Sequence, residues 1–346
     1  PAWGVATDAT TPGEIQVSLT TSSSAASGDG SLVRLEFEVN GQHGGGTTLH
    51  LARASLNGGA IPVESTDGSF LIDLFAVSGT VRYWKGCASV PGVQLGNEGD
   101  DLYSDQTDAD GAFTVVAPAG STWHLSPNKS DDVGAISAYD ASLVLQHSAG
   151  IITLSDHAAM AADVDGSGTI NSMDAYYILQ KAVGLISLPF PGCATIWAFD
   201  PANRSYTNLS DNQFGQDFAA VLLGDVSGNW GVEPELSSGG PSQAAVTLSV
   251  VGSEVEPSGL ATVTLQLDAA EGQVYGVDMA LAYWPDQARV LSVHLGPLGS
   301  NLAMSHDLAK PGQVRVALAG DSPISGSGEL LTMSFQMADP SAGGTR

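Results

Sequence analysis

One stretch near the middle of the 346-residue chain decides its organisation: residues 163–174, Asp-Val-Asp-Gly-Ser-Gly-Thr-Ile-Asn-Ser-Met-Asp. Oxygen-bearing side chains stand at positions 1, 3, 5, 9 and 12 of this stretch, and a glycine stands at position 6. This is the spacing of a calcium loop, because Ca²⁺ takes about six to eight oxygen ligands. A helix-capping turn is the alternative, but a cap does not require four oxygens at this spacing. The predicted calcium ligands are Asp163, Asp165, Ser167, the Thr169 carbonyl, Asn171 and Asp174.

A helix is expected directly after this loop, and the whole unit is duplicated. Apolar residues recur at helical spacing after position 174. Residues 136–150 repeat the pattern 34 positions earlier, so that Asp140 corresponds to Asp174. The first copy of the loop departs from the pattern, because strict counting puts Lys129 at position 1. A one-residue insertion would restore it, and the ligands would then be Asn128, Ser130, Asp132 and Asp140.

The duplicated loop-and-helix unit resembles a type I dockerin over residues 128–188. The resemblance implies calcium binding and capture of a cohesin partner. It places partner contacts at the start of each helix, at Ala138, Tyr139, Ser172 and Met173. The alternative is that these four residues pack against the rest of this chain.

The two ends of the chain have related sequences. Residues 12–39 and 311–337 both run from Pro-Gly through alternating apolar residues and a Ser/Gly-rich turn to a strand containing Phe. The offset is 299 positions from Gly13 to Gly312 and 298 from Phe37 to Phe335. Two unrelated hairpins could look alike, since alternation plus a turn is a weak signal. The two end regions resemble the last and first parts of a cohesin-type jelly-roll sandwich, which implies a binding or structural module.

Sequence patterns typical of strands and turns occur on both sides of the calcium module. Residues 77–125 alternate strands with Pro-Gly and Asp-Gly turns and resemble the carboxypeptidase regulatory-like domain, which has no catalytic role in its family. Strand-like sequence returns after the module at residues 195–199 and 217–223. The module is therefore expected to be inserted in this sandwich. Residues 225–229 copy positions 1, 3 and 5 of a calcium loop but lack a carboxylate at position 12, and they are interpreted as a turn.

Two kinds of covalent modification are predicted. Cys87 and Cys193 flank the module, and a disulfide between them would close a loop of about 105 residues. Asn128, Asn203 and Asn208 each precede x-Ser and are candidate glycan acceptors. Asn128 cannot easily serve both as a glycan anchor and as a calcium ligand.

Composition excludes several functional classes. With 11 Lys and Arg against 37 Asp and Glu, the net charge of −26 would repel nucleic acid and anionic membranes. No apolar run reaches the ~20 residues of a membrane span. The chain begins with Pro1 and reads as a piece of something longer. No zinc motif, nucleophile elbow, P-loop or dinucleotide fingerprint occurs, so no catalytic residue is predicted and the chain is not expected to be an enzyme.

The predicted fold is therefore mainly β, with multi-domain β-sandwiches and a small helical calcium module. The predicted domains are 1–74 (end of a cohesin-like sandwich), 75–127 and 189–232 (two parts of a regulatory-like sandwich), 128–188 (calcium module), 233–242 (linker) and 243–346 (start of a next cohesin-like sandwich).

The predicted function is that of an extracellular or cell-surface structural protein, a calcium-stabilised repeat unit of about 300 residues in a fibre or surface layer. Its partners would be neighbouring copies of itself, which complete its sandwiches. Two alternatives stay open. The chain could be a cellulosome-type adaptor that binds partners by cohesin–dockerin recognition, or the non-catalytic part of a secreted glycoside hydrolase.

Overall fold

The computed structural model describes residues 4–21, 31–37, 46–71, 74–97, 100–231, 246–252 and 255–338. The chain divides into two units, residues 1–72 and residues 73–346. The predicted linker 233–242 lies outside the described residues. Strands predominate and the three α-helices fall within one short segment, so the predicted mainly β fold with a small helical module is confirmed.

The described strands of the first unit form two hairpins. Strands β1 (Gly4–Asp8) and β2 (Gln16–Thr20) pair antiparallel, as do β3 (Gly46–Leu49) and β4 (Gly68–Leu71). A short 3₁₀ turn covers Asn57–Gly59. Where exposure is described in this unit, over residues 4–21, 31–37 and 48–69, no residue is buried. These hairpins therefore have no core of their own within the described residues.

The second unit begins with a sandwich of two four-stranded sheets. One sheet has the order β10-β12-β5-β8, with β12 and β5 parallel, and the other has the antiparallel order β11-β9-β6-β7. Its strands are β5 (Leu74–Tyr83), β6 (Gln94–Asn97), β7 (Asp100–Gln106), β8 (Ala112–Pro118), β9 (Trp123–Asn128), β10 (Trp197–Asp200), β11 (Arg204–Tyr206) and β12 (Phe218–Leu222).

The core of this sandwich is formed by strands in which buried apolar residues alternate with outward-facing residues. In β8, Phe113, Val115 and Ala117 are buried while their neighbours face outward, as the two-residue period of a strand requires. Tyr83 and Trp197 join the same core. Strands from before and after the helical segment thus share both sheets.

The helical segment lies between β9 and β10. It contains α1 (Ala138–Ser148), α2 (Asp156–Ala162) and α3 (Ser172–Val183). A carboxylate three residues into α1 and α3 accepts a hydrogen bond from the residue that precedes each helix, which satisfies one of the free N–H groups there. Helix α3 ends at Gly184, whose φ of 85° closes the helix in the left-handed conformation. No helix among the described residues combines the length and the apolarity that a membrane crossing needs.

The unit ends in a five-stranded antiparallel sheet. Its order is β13-β14-β17-β15, and β16 also pairs with β17. The strands are β13 (Thr247–Gly252), β14 (Leu260–Ala282), β15 (Ala288–Leu295), β16 (Ala303–Asp307) and β17 (Gln313–Met337), with a 3₁₀ turn at Pro297–Gly299.

The first part of strand β17, residues 314–320, is buried on both faces. Val314, Val316 and Leu318 belong to the core of the sheet itself. Ala317 and Ala319, on the opposite face, pack into the core of the helical segment. Strand β13 is exposed along its whole length.

Candidate functional site

Residues 163–174 form a compact cluster of oxygen atoms. Carboxylate oxygens of Asp163, Asp165 and Asp174 lie within 4.8 Å of one another. The backbone N–H groups of Ser167 and Gly168 donate to the two carboxylate oxygens of Asp163, at 3.0 and 2.9 Å. These bonds turn the chain back on itself and hold the carboxylate in place.

Asp174 anchors the loop from the first turn of α3. Its side chain is buried and accepts from the N–H groups of Val164, Asp165 and Asn171, at 3.0, 3.2 and 2.9 Å. Burial raises the pKa of Asp174, although the hydrogen bonds from Asn171 and Asp165 favour the charged form. A hydrogen bond from the Ser167 side chain lowers the pKa of Asp165.

The remaining predicted ligands surround the same loop. The Ser167 hydroxyl lies 3.2 Å from the Thr169 carbonyl oxygen, and the Asn171 amide nitrogen donates to that carbonyl at 3.2 Å. All of the predicted metal ligands in this loop are hard oxygen atoms. Ca²⁺ prefers such ligands, whereas Zn²⁺ and copper prefer nitrogen and sulfur. The arrangement therefore fits a calcium ion.

The predicted disulfide is wrong, because both cysteines are free thiols. Cys87 is exposed in the turn after β5, with a left-handed φ of 56°. The Cys193 thiol instead contacts the calcium loop and donates to the Val164 carbonyl at 3.3 Å. Burial raises the pKa of the Cys193 thiol, and the Asp163 carboxylate adds to this effect.

The first copy of the loop is built differently from the second. Asp140 is fully buried and accepts from the Ser137 N–H and the Ser227 N–H, each at 2.8 Å. Burial raises the pKa of Asp140 to about 6, and the nearby Asp225 charge acts in the same direction. Neither serine belongs to the ligand set expected from sequence.

The other predicted ligands of the first loop are placed apart from these bonds. Asn128 and Ser130 are exposed, and the Asp132 carbonyl accepts from the Trp230 indole at 3.2 Å. Within residues 100–231, no hydrogen bond joins Asp140 to Asn128, Ser130 or Asp132. In the sequence, only the resemblance of residues 225–229 to the start of a calcium loop pointed to this contact, and that segment was predicted to be a turn.

The helical segment docks on the C-terminal sheet of the same chain through the start of α1. The Ala138 N–H donates to the Asp278 carboxylate of β14 at 2.9 Å. Gly276 lies so close to this turn that a Cβ there would come within 2.6 Å of the Tyr139 nitrogen. The Arg315 guanidinium of β17 lies against Gly184, where a cation favours the C-terminus of α3.

The start of α3 has a different environment. Ser172 and Met173 are exposed, as is Tyr176 one turn later. Of the four predicted partner contacts, the structure thus buries Ala138 against its own chain and leaves Tyr139, Ser172 and Met173 exposed. The three sequon residues Asn128, Asn203 and Asn208 are exposed, and their glycosylation stays a prediction.

Comparison with known proteins identifies the helical segment. Residues 131–182 match the family model of the dockerin type I domain, which confirms the resemblance predicted from sequence. No curated protein matches the chain. The resemblance to a carboxypeptidase regulatory-like domain stays a prediction.

Cohesins and a pilin are among the similar solved structures. A non-cellulosomal cohesin from Archaeoglobus fulgidus is 24% identical, with a TM-score of 0.25 over 27% of this chain and 66% of the cohesin, just under two thirds of its length. A type I cohesin–dockerin complex from Clostridium thermocellum is 13% identical, with a TM-score of 0.26 over 28% of this chain and 73% of that chain. The major pilin subunit BcpA of Bacillus cereus is 8% identical, with a TM-score of 0.24 over 78% of this chain and 60% of the pilin.

Proposed function

We propose that this chain is a non-catalytic, calcium-stabilised structural subunit of an extracellular fibre or surface layer. In this proposal the first unit of one copy completes the C-terminal sheet of another copy. The dockerin-type segment stiffens each subunit by docking on that subunit's own sheet. The domain boundaries predicted from sequence are part of the proposal.

The main support for this assembly is that equivalent positions of the internal repeat differ in burial. Leu331, Met333 and Phe335 of β17 are at most 4% exposed. Their counterparts 298 positions earlier, Val33, Leu35 and Phe37, are 40 to 45% exposed. The same apolar pattern is therefore buried at the C-terminal end of the chain, whereas its described side chains at the N-terminal end are partly exposed.

Burial energetics favour association of these surfaces. Covering a Val, Leu or Phe side chain stabilises by about 1.5–3 kcal/mol. Strand β13 adds a second exposed apolar row, because Leu248 and Val250 are 42% and 56% exposed at an edge of the C-terminal sheet. An unpaired edge beside apolar side chains is a template for another strand. A second copy offers a segment with the matching apolar pattern, residues 33–37.

Self-association tests this proposal. The full chain should form oligomers whose size increases with concentration in analytical ultracentrifugation, and electron microscopy should show a regular axial repeat. Leu35→Asp should weaken self-association at least tenfold, because a charge replaces apolar burial.

Phe214 provides a matched control, since it is 69% exposed but lies outside the repeat. Phe214→Asp should leave association unchanged. A wild-type chain that stays monomeric at every concentration, or a Leu35→Asp variant that assembles normally, would refute the proposal.

Calcium binding at residues 163–174 is the second part of the proposal. Saturating calcium at a hundredfold excess over Kd should stabilise the folded chain by about 2.7 kcal/mol. Excess EDTA should lower the melting temperature and raise amide hydrogen exchange over residues 128–188. Magnesium at equal concentration serves as the control, since it dehydrates reluctantly and demands a tighter octahedron. An identical melting curve with and without EDTA would remove calcium from the account.

A second candidate function is that of an adaptor, which the exposed start of α3 favours. Ser172, Met173 and Tyr176 form an accessible surface on a dockerin-type segment. If this surface captures a cohesin on another protein, the full chain should form a 1:1 complex with an isolated cohesin in calorimetry. Met173→Asp should abolish that complex, whereas Phe214→Asp, at an exposed side chain outside the dockerin-type segment, should not.

A further inference from the structure

Two hairpins at opposite ends of the chain are the same structural element. In the first unit, β1 and β2 pair Gly4 with Thr20, and in the C-terminal sheet β16 and β17 pair Ala303 with Ala319. Both positions differ by 299, and the other four pairs of each hairpin follow in the same register. The pairing of the strands therefore repeats with the offset that the sequence repeat shows.

The turns of the two hairpins also agree in detail. Asp8 and Asp307 each accept a hydrogen bond from the N–H group two residues later, at 2.9 and 2.8 Å. Gly13 and Gly312 are both left-handed, with φ of 82° and 84°. In each turn the N–H group after this glycine donates to the carbonyl three residues earlier, at 3.1 and 3.2 Å. The two ends are therefore partial copies of one domain in a common frame.

This common frame shows which part of the domain the C-terminal sheet lacks. In that sheet, strands β13, β14 and β15 precede the shared hairpin, whereas β3 and β4 follow it in the first unit. Strands β16 and β17 are the sheet's own version of residues 4–20 and 33–37. No described strand of the sheet corresponds to residues 46–71. The segment that the sheet lacks is therefore 46–71, and not the hairpin that both ends possess.

Residues 46–71 are held together as a unit but are not covered. Strands β3 and β4 pair over four residues. Beyond the strands, His50 Nδ1 lies 2.9 Å from both carboxylate oxygens of Asp67, and the Leu51 N–H donates to Asp67 at 3.2 Å. Five apolar side chains of the segment are 39 to 49% exposed: Leu49, Leu51, Leu56, Ile61 and Val63. The segment therefore offers paired strands with apolar side chains that another surface could bury.

Strand β13 is an edge of the C-terminal sheet that can receive this segment. It pairs with β14 over all six of its residues without a bulge, and with no other described strand. Residues 247–252 contain no charged residue and no proline, which are the features that usually protect an exposed edge. Leu248 and Val250 are 42% and 56% exposed on this strand. An added strand would pair with the backbone of this edge and cover its apolar side chains.

We propose that residues 46–71 of one copy add to the β13 edge of the C-terminal sheet in another copy. The proposal rests on the self-association proposed above, and it names the segment and the edge that form the contact. The donor segment and the acceptor edge lie at opposite ends of the chain. Each copy can therefore donate to one neighbour and accept from another, and such a head-to-tail contact allows the assembly to grow.

Mixing two variants of the full chain in analytical ultracentrifugation tests the strand addition. Leu49→Asp damages the donor segment and leaves the acceptor edge intact, whereas Val250→Asp does the reverse. Both side chains are exposed, so neither change threatens the fold of a single copy. Each variant alone should self-associate at least tenfold more weakly than the wild-type chain. An equimolar mixture should form a 1:1 complex that grows no further, because one intact donor and one intact acceptor remain.

Ile151→Asp is the matched control, because Ile151 is also 56% exposed but lies just after α1, and it should leave association unchanged. If Leu35→Asp weakens association and Leu49→Asp does not, the copies join through residues 33–37. That result overturns the strand addition and leaves the proposed assembly standing. Two weakly associating variants that form no complex when mixed also overturn the strand addition. A wild-type chain that stays monomeric at every concentration overturns both proposals.

Discussion

Replacing Asp174 with Ala is expected to cost at least about 3 kcal/mol and to unfold the dockerin-type segment at a markedly lower temperature. Asp174 is buried and accepts hydrogen bonds from three backbone N–H groups of its loop. Each buried donor left without an acceptor costs about 1–3 kcal/mol. The change also removes a predicted calcium ligand. Thermal unfolding followed by far-UV circular dichroism should show a decrease of about 10 °C for the helical transition.

Asp156 is the matched control for this prediction. It is an exposed carboxylate in the first turn of α2, within the same segment. Asp156→Ala removes the same charge but no loop contact, so its cost should stay within about 1 kcal/mol. If the two variants melt alike, the loop does not hold the segment together.

Replacing Gly276 with Val is expected to detach the helical segment from the C-terminal sheet. The new side chain would start 2.6 Å from the Tyr139 nitrogen and 2.7 Å from the Ala138 carbonyl carbon, and backbone atoms cannot move aside as a flexible side chain can. Overpacking of a well-packed contact costs about 1–3 kcal/mol or more. Amide hydrogen exchange across α1 should increase at least tenfold, while calcium affinity at residues 163–174 should be retained.

Gly252 of β13 provides the comparison. It lies in the same sheet, and a Cβ there would meet no atom within 4 Å. Gly252→Val should leave exchange in α1 unchanged. Protection of α1 that survives Gly276→Val would show that docking does not depend on this close approach.

A milder change tests the same contact. Asp278→Ala removes the acceptor of the Ala138 N–H, a bond of 2.9 Å at the first residue of α1. The loss should cost about 1–2 kcal/mol. Exchange at the first turn of α1 should increase, and exchange in α3 should not.

Local sequence patterns sufficed to predict the cluster of oxygen ligands at residues 163–174. Its ligands are close in sequence, so their spacing alone predicts a cluster of oxygens, and the structure brings Asp163, Asp165 and Asp174 together. Strand alternation likewise sufficed for the mainly β fold, because a two-residue period separates the faces of a strand wherever the strand lies.

Long-range contacts could not be predicted in this way. The first loop was sought among residues 128–132, adjacent to Asp140, whereas the structure places Ser227 beside that carboxylate, 87 positions away. Nothing in the spacing of residues 225–229 indicates which helix they meet. The disulfide failed for a related reason: flanking positions in sequence say nothing about where two thiols point, and Cys193 points toward the Val164 carbonyl.

The sequence by itself therefore determined the strands, the duplicated helices and the contiguous oxygen-rich loop at residues 163–174, since each depends on residues a few positions apart. Only the tertiary structure decided that α1 docks on β14 and β17, and that Asp225 approaches Asp140. Those contacts join segments that are far apart in the chain. Their geometry follows from the packing of the whole second unit, which no local periodicity records.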